Sequence, residues 1–501
     1  MTASLFASKF ALYGTVCAYF VLMLGIGLWA NKANKRQAGQ HSGFIEEYFL
    51  AGRKLGGFTL AMSIITTYTS ASSFIGGPGM AYALGLGWVL LAMIQVPTTF
   101  LTLGIMGKRL SRFSKATGAV TISDFLRHRY KSSFLAVITS LFMLIFFMAI
   151  MLAQFIGGAR VLEATTGAPY QIGLIFFAIT VIIYTTLGGF RAVVLTDLVQ
   201  GFIMLFAAMA VLWCVIDAGG GLEKIMATLA TIDPGLVSPT GPNNAIPVPF
   251  MLSFWVLVGL GVLGLPQTAQ KCMAFTDEKS LRQAMVIGTI TIGFILLCTH
   301  LTGALGRAVI PDLEAGDLIM PTLIVTLMPP FFAGLFIAGV LAAIMSTISS
   351  MLIMSSASII CDMYIEWRLD GRKDLANQTF IRRISFGITA LLGVIVFFMA
   401  LSPPDLLVWI NLFAFGGLEA VFLWPVVLGL YWRKANTAGA LSSIFVGVFV
   451  FLGLTITKPP LWNIHPIVPS LAFAGMAFAL ITFLTTKSSL PCHKQQETAH
   501  L

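Results

Sequence analysis

Charge is scarce in this chain. Only 10% of its 501 residues are Asp, Glu, Lys or Arg, against about 25% in an ordinary soluble domain. Too few charged groups are present to hydrate a globular surface of this size. Cysteine is scarce too. The six (Cys17, Cys214, Cys272, Cys298, Cys361, Cys492) show no paired metal-ligand spacing and no placement that fits an exported disulfide framework. HExxH, GxSxG-type nucleophiles, convergent His/Asp clusters and a Walker A loop are all missing, which argues against a membrane-embedded enzyme and against ATP-driven pumping. No repeated filter sequence is present, as a multi-subunit pore would need.

Hydrophobic residues, at 57%, are what the chain has in abundance. Spanning a bilayer takes about 20 apolar residues per helix, and thirteen stretches qualify. Only helices and closed barrels satisfy backbone polar groups in hydrocarbon, so the expected fold class is all-α, a polytopic membrane protein of about 13 transmembrane helices. The first stretch is too long for a signal h-region and has no small-x-small cleavage site, so it is kept as a helix. The net charge of +10 invites a nucleic-acid partner, but its placement argues for a membrane. With the N-terminus outside, only Lys9, Arg160, Lys224, Arg307 and Lys458 of the 30 Lys and Arg residues fall outside. That bias follows the positive-inside rule and gives an N-out/C-in topology. The loop 108–132 is amphipathic, with Phe113, Ile122 and Phe125 among bases, and reads as a helix lying on anionic headgroups.

Two spans are interrupted. The second, 56–80, has hydroxyl and β-branched residues through its centre (Thr66, Thr67, Tyr68, Thr69, Ser70, Ser72, Ser73) and ends in Gly76-Gly77-Pro78-Gly79. Five spans later the seventh, 249–268, carries Gly259, Gly261, Gly264 and Pro266. Broken segments at matching places in two halves point to a transporter's binding site, and a repeat of five helices must insert in opposite senses. The predicted organisation is therefore a first peripheral helix and inside loop (1–55), a first inverted repeat of spans two to six (56–217), an outside loop (218–248), a second repeat of spans seven to eleven (249–434), two peripheral helices (435–486) and a cytoplasmic tail (487–501).

The ninth span contains Ala342-Ala343-Ile344-Met345-Ser346-Thr347-Ile348-Ser349-Ser350. Ala343, Ser346 and Thr347 stand at i, i+3 and i+4 and share a face. Oxygens without a fixed negative charge suit a monovalent cation that must bind and leave again. Carbonyls freed near Thr66 and Thr69 are expected to complete the enclosure. Glu419 reads as the only acid deep in a span; Gln95, Gln154, Gln267 and Asn411 are candidate cavity amides; Tyr68 is a gate or a substrate contact. Arg191 and Asp197 read as loop-capping residues, and His300 as a core residue rather than a proton relay.

Gly188-Gly189-Phe190-Arg191-Ala192, then Thr196-Asp197 and Gln200, resemble the first signature of the sodium/solute symporter family, and the run 342–350 resembles that family's cation-binding helix. The likeness covers essentially the whole chain. Within the family the runs 71–79, 85–95, 303–313 and 416–425 resemble its pantothenate-carrying bacterial branch most. The resemblance implies an amino-acid-transporter-like core of two inverted five-helix repeats. It places sodium on Thr66, Thr69, Ala343, Ser346 and Thr347. It implies inward sodium movement coupled to uptake of pantothenate, without an organic cofactor, in a bacterial inner membrane, with the lipid bilayer but no obligatory protein or nucleic acid as partner. Substrate is expected beside Tyr68, Ser70, Ser72, Ser73, Gln95, Gln154, Gly264, Gln267 and Glu419. A helix N-terminus freed by unwinding is expected to meet its carboxylate, and Glu419 to accept a hydroxyl proton. Proline-transporting members carry an acid at the position of Tyr68, so Tyr68 is assigned to substrate rather than to sodium. The alternative is a sodium- or proton-coupled carrier of another small carboxylate or of an amino acid such as proline.

Overall fold

A computed structural model describes residues 2–37, 44–369, 377–403, 407–458 and 463–486; the expected tail 487–501 and Cys492 lie outside them. The principal helices are α1 (Thr2–Gln37), α2 (Gly57–Tyr68), α3 (Gly77–Leu84), α4 (Leu86–Thr117), α5 (Ile122–Tyr130), α6 (Ser133–Thr166), α7 (Tyr170–Ala218), α8 (Val248–Trp255), α9 (Pro266–Lys271), α10 (Glu278–Val309), α11 (Pro330–Ile365), α12 (Gln378–Ala400), α13 (Leu407–Tyr431), α14 (Thr437–Thr457) and α15 (Ile467–Thr486). Among the described residues ten helices are long and apolar enough to cross a membrane, and the one extended pairing is an isolated bridge between Leu55 and Phe275. Large side chains such as Phe206 and Trp213 on α7, Phe449 on α14 and Leu484 on α15 are exposed, an apolar belt that suits lipid.

α7 covers two of the expected spans in one run of 49 residues, bent at Gly189, whose φ of 61° and ψ of −161° no β-carbon would tolerate well. The ring of Tyr48 sits in that bend, its hydroxyl donating to the Thr186 carbonyl at 2.9 Å. Helix thus continues past the bend, so Asp197 lies inside α7, fully buried, rather than capping a loop. Nor is Glu419 alone: Asp197 and Asp362 are also buried carboxylates. Asp362 accepts from Thr121, Ser358 and Ser140 at 2.6, 2.9 and 3.0 Å.

The 108–132 region departs from expectation in a similar way. Its apolar face packs on protein instead of headgroups: Ile122 and Phe125 are buried and Phe113 stands edge-on to Phe125 at 4.9 Å. Its bases find protein partners, Arg129 on the carbonyls of Gly429 and Trp432 and Arg127 on Asp124 and Glu366.

The two broken segments lie at the centre. Residues 57–84 form α2 and α3 with a break between them, and 248–271 form α8 and α9 with another. Contacts descend one as they ascend the other: Ser63 meets Lys271, and Tyr68 meets Val258. The segments therefore run antiparallel. α11 packs along α7, α1 and α6, and α10 along α2 and α3. In α11, 83% of the span is buried, against 28% in α1. A helix enclosed on all sides has no lipid-facing stripe, which is why it carries hydroxyls where α1 carries hydrocarbon.

Candidate cation and solute site

The first break follows from the residues that flank it. Ile64, Ile65, Thr66 and Thr67 crowd the preceding turn with β-branches, and the Thr69 hydroxyl donates to the Ile65 carbonyl at 2.7 Å, competing with the ladder. Thr69 is then extended, at φ −76° and ψ 121°, and the chain resumes as a π-turn at Ser72–Gly76.

Backbone groups released there are taken up by side chains. The Ser346 hydroxyl donates to the Thr66 carbonyl at 2.7 Å and to Ala343 at 3.0 Å. The Thr347 hydroxyl reaches the Thr69 carbonyl at 3.4 Å and Ala343 at 3.0 Å. All five residues named from the sequence as cation ligands thus meet, and all are buried. Three carbonyls and two hydroxyls carry no net charge, so a monovalent ion is the cation they suit. The Ala71 amide is met by Gln154 Oε1 at 2.8 Å, and the Gln154 amide nitrogen points at Asn411 at 3.5 Å. Gln154 therefore serves the break and does not face the cavity.

One turn away lies a cluster that sequence reading missed. The Lys271 ammonium donates to the Ser63 carbonyl and hydroxyl at 2.5 and 2.7 Å, to the Thr67 hydroxyl, and to Asp197 at 3.2 Å. Both ionic side chains are buried, 1% and 0% exposed. The pair ties α9, just past the second break, to α2 and α7. Asp197 was visible in the family signature, but Lys271 counted only as one more inside base.

Beside the first break is a cavity of ≈ 50 Å³, lined by Tyr68, Ser70, Ser72, Ser73 and Gln95 among others. A volume of this size holds a few waters at most. Trp88, His300 and Asn411 line it too. His300 Nδ1 stands 2.8 Å from the Leu296 carbonyl, which only accepts, so Nδ1 carries the proton and Nε2 turns toward Gly77. The Trp88 indole nitrogen is buried without a hydrogen-bond partner. The amides of residues 70–73, by contrast, are engaged: Ser70 by Ser73 Oγ, Ala71 by Gln154, Ser72 by Ser70 Oγ and Ser73 by the Ser70 carbonyl. The donor expected from an unwound helix terminus is already used. Nothing in the sequence reading marked Trp88, whose one signal was an indole in a run of small and aliphatic neighbours.

Gly264, Gln267 and Glu419 lie outside that lining. The second break is a π-turn at Val256–Leu260, a 3₁₀ turn at Gly261–Gly264 and an extended Leu265. Pro266 disfavours helix at the residue before it, and so it sets the break at Leu265. The Gly264 α-carbon backs on Glu419 and Leu423 of α13.

Two antiparallel broken helices, a buried oxygen cage between the first of them and an enclosed helix, and an adjoining polar cavity define a cation-coupled secondary transporter. A family model described as the sodium:solute symporter family matches residues 48–447. The chain belongs to that family, whose members are transporters and not enzymes. It is 49% identical to the sodium/pantothenate symporters of Haemophilus influenzae and Escherichia coli, covering 92% of this chain in both cases and 93% and 94% of theirs. It is 29% identical to an osmoregulated proline transporter of Bacillus subtilis, over 94% of each. A solved Na+-coupled sialic acid symporter, in a substrate-bound outward-open state, shares the fold with a TM-score of 0.78 at 19% identity, covering 97% of this chain and 99% of its own. A nucleobase-cation-symport-1 transporter in a closed conformation follows at 0.57 and 14% identity, with 87% and 95% covered.

Proposed function

We propose that this chain imports pantothenate with sodium across the inner membrane of a bacterium. The observation that carries the sodium half is the meeting of five uncharged oxygens, from Thr66, Thr69, Ala343, Ser346 and Thr347, at the first break. Substrate choice rests on the 49% identity to two sodium/pantothenate symporters, against 29% to a proline carrier. The topology that fits is thirteen crossings, N-out and C-in. The bent α7 counts as two crossings, each broken pair as one, and residues 56–217 and 249–434 form two inverted repeats.

Pantothenate is a carboxylate with hydroxyls and an amide. Ser70, Ser72, Ser73 and Gln95 offer it hydroxyls and an amide, Tyr68 a phenol, and Trp88 an N–H that has no other use. Since the cavity is smaller than the solute, the broken segments must part to admit it. An inside-negative potential opposes an entering anion by about 2.3 kcal/mol per charge at 100 mV, and one sodium cancels that electrical cost. Coupling follows if sodium in the cage holds the first break in the shape that presents Ser70–Ser73, because linkage then makes each ligand raise the other's affinity.

The test is uptake of radiolabelled pantothenate into proteoliposomes under an imposed sodium gradient, with choline replacing sodium at constant pH and with proline and other vitamins as competitors. Saturable, sodium-dependent uptake that proline leaves unaffected is the expected result. Uptake that persists in choline overturns the sodium assignment, and competition by proline overturns the substrate.

A further inference from the structure

Glu419 is fully buried in α13, and neither carboxylate oxygen has a hydrogen-bond partner. The group is pressed against the second broken segment: a β-carbon on Gly261 would collide with both carboxylate oxygens, and one on Gly264 with the Glu419 α-carbon. Apolar packing closes the other sides, with Gly416 against Phe451 of α14 and Gly417 against Phe146 of α6. Among the described residues no charged side chain stands opposite, only the Tyr68 phenol. Residues 248–270 contain none, nor do α14, α15 or positions 143–158 of α6. Tyr68 is the one titratable group of the first break, and its hydroxyl is bonded to the Val258 carbonyl at 3.2 Å. In α5 the base nearest this stretch of α13 is Arg129, held ten and thirteen residues further along by Gly429 and Trp432.

An ionised carboxylate in such surroundings has nothing to replace its hydration. A sodium ion would need a shell of several oxygens, and the carboxylate meets the Gly261 methylene instead. A proton needs no shell. We propose that Glu419 is a proton-binding site, neutral while segment seven lies against it, and that the carrier moves one proton with each turnover beside its sodium. Water in the outer pathway protonates the carboxylate when the Gly261–Gly264 turn lifts away on that side. Parting on the inner side hydrates the group, the O–H bond breaks, and the proton leaves to cytosolic water. Net transfer is one proton inward, with no oxidant or reductant involved.

This rests on the reading above only in that segment seven moves during transport, and one arm of the test needs no transport at all. In that arm, purified protein is treated with dicyclohexylcarbodiimide, which adds to protonated carboxyls in apolar sites, and the modified residue is mapped by mass spectrometry. Labelling of Glu419 that falls as pH rises is expected; no labelling at Glu419 overturns the proposal. In the second arm, proteoliposomes receive a fixed sodium gradient with an added inward proton gradient. Wild-type uptake should rise severalfold over sodium alone, while Glu419→Gln should lose that response and keep its sodium dependence. An equal response in both proteins, or none in wild type, overturns proton movement through Glu419. Loss of sodium-driven uptake from wild type itself would instead sink the earlier reading, leaving the labelling result to decide the site.

Discussion

The indole of Trp88 is the most exacting single residue in the cavity. A buried donor with no partner costs about 1–3 kcal/mol, so its N–H is expected to be met when substrate enters. Trp88→Phe keeps the ring and removes the N–H. It should raise the half-saturating pantothenate concentration roughly tenfold, about 1.4 kcal/mol, with the sodium dependence unmoved; uptake titrations at saturating sodium measure both. Residues of this kind are hard to see in a sequence, because an indole in an apolar run reads as packing. Gln154 was legible as polar, but not as the partner of the Ala71 amide, since that role exists only once the chain has broken at Thr69. Gln154→Ala should leave that amide unpaired and lower the melting temperature of the detergent-solubilised protein, by about 1–3 kcal/mol of stability.

At the scale of elements, the proposed cation cage depends on a broken segment and an enclosed helix presenting oxygens to each other. Both halves were readable. Hydroxyls at i, i+3 and i+4 in an apolar helix mark a face that is not for lipid, and β-branched residues followed by serines and Gly-Gly-Pro-Gly mark a break. Ser346→Ala combined with Thr347→Ala should raise the sodium concentration for half-maximal uptake tenfold or more, about 1.4 kcal/mol or above; sodium titration of initial rates checks it, and an unaltered midpoint would remove these hydroxyls from the site. Less readable were the bend in α7, where helix continues through Gly189, and the 108–132 stretch. Amphipathicity reports that one face is apolar without saying whether lipid or protein covers it. Here Phe125 and Ile122 are covered by protein.

Across the whole molecule, the Lys271–Asp197 pair joins the two broken segments' neighbourhoods through one buried contact. Removing one member of such a pair leaves an uncompensated charge and costs about 3–5 kcal/mol, whereas replacing both is often close to neutral. Lys271→Met and Asp197→Asn should each lower folded yield and thermal stability sharply, with the double variant recovering most of the loss. A double variant as unstable as the worse single one would show that the pair is not what binds these elements. Sequence separation of 74 residues hid this contact, although charge placement did expose the membrane character of the chain.

The two hydroxyls of α11 are already satisfied by the carbonyls they face. An ion arriving at the proposed site must therefore compete with two shared hydroxyl bonds, one per hydroxyl proton, worth about 1 kcal/mol apiece, and a departing one leaves the protein to close up behind it. Such a site is self-healing. It favours occupancy in a salty exterior and discharge into a sodium-poor cell, because letting go exposes no raw polar wound in the middle of the bilayer.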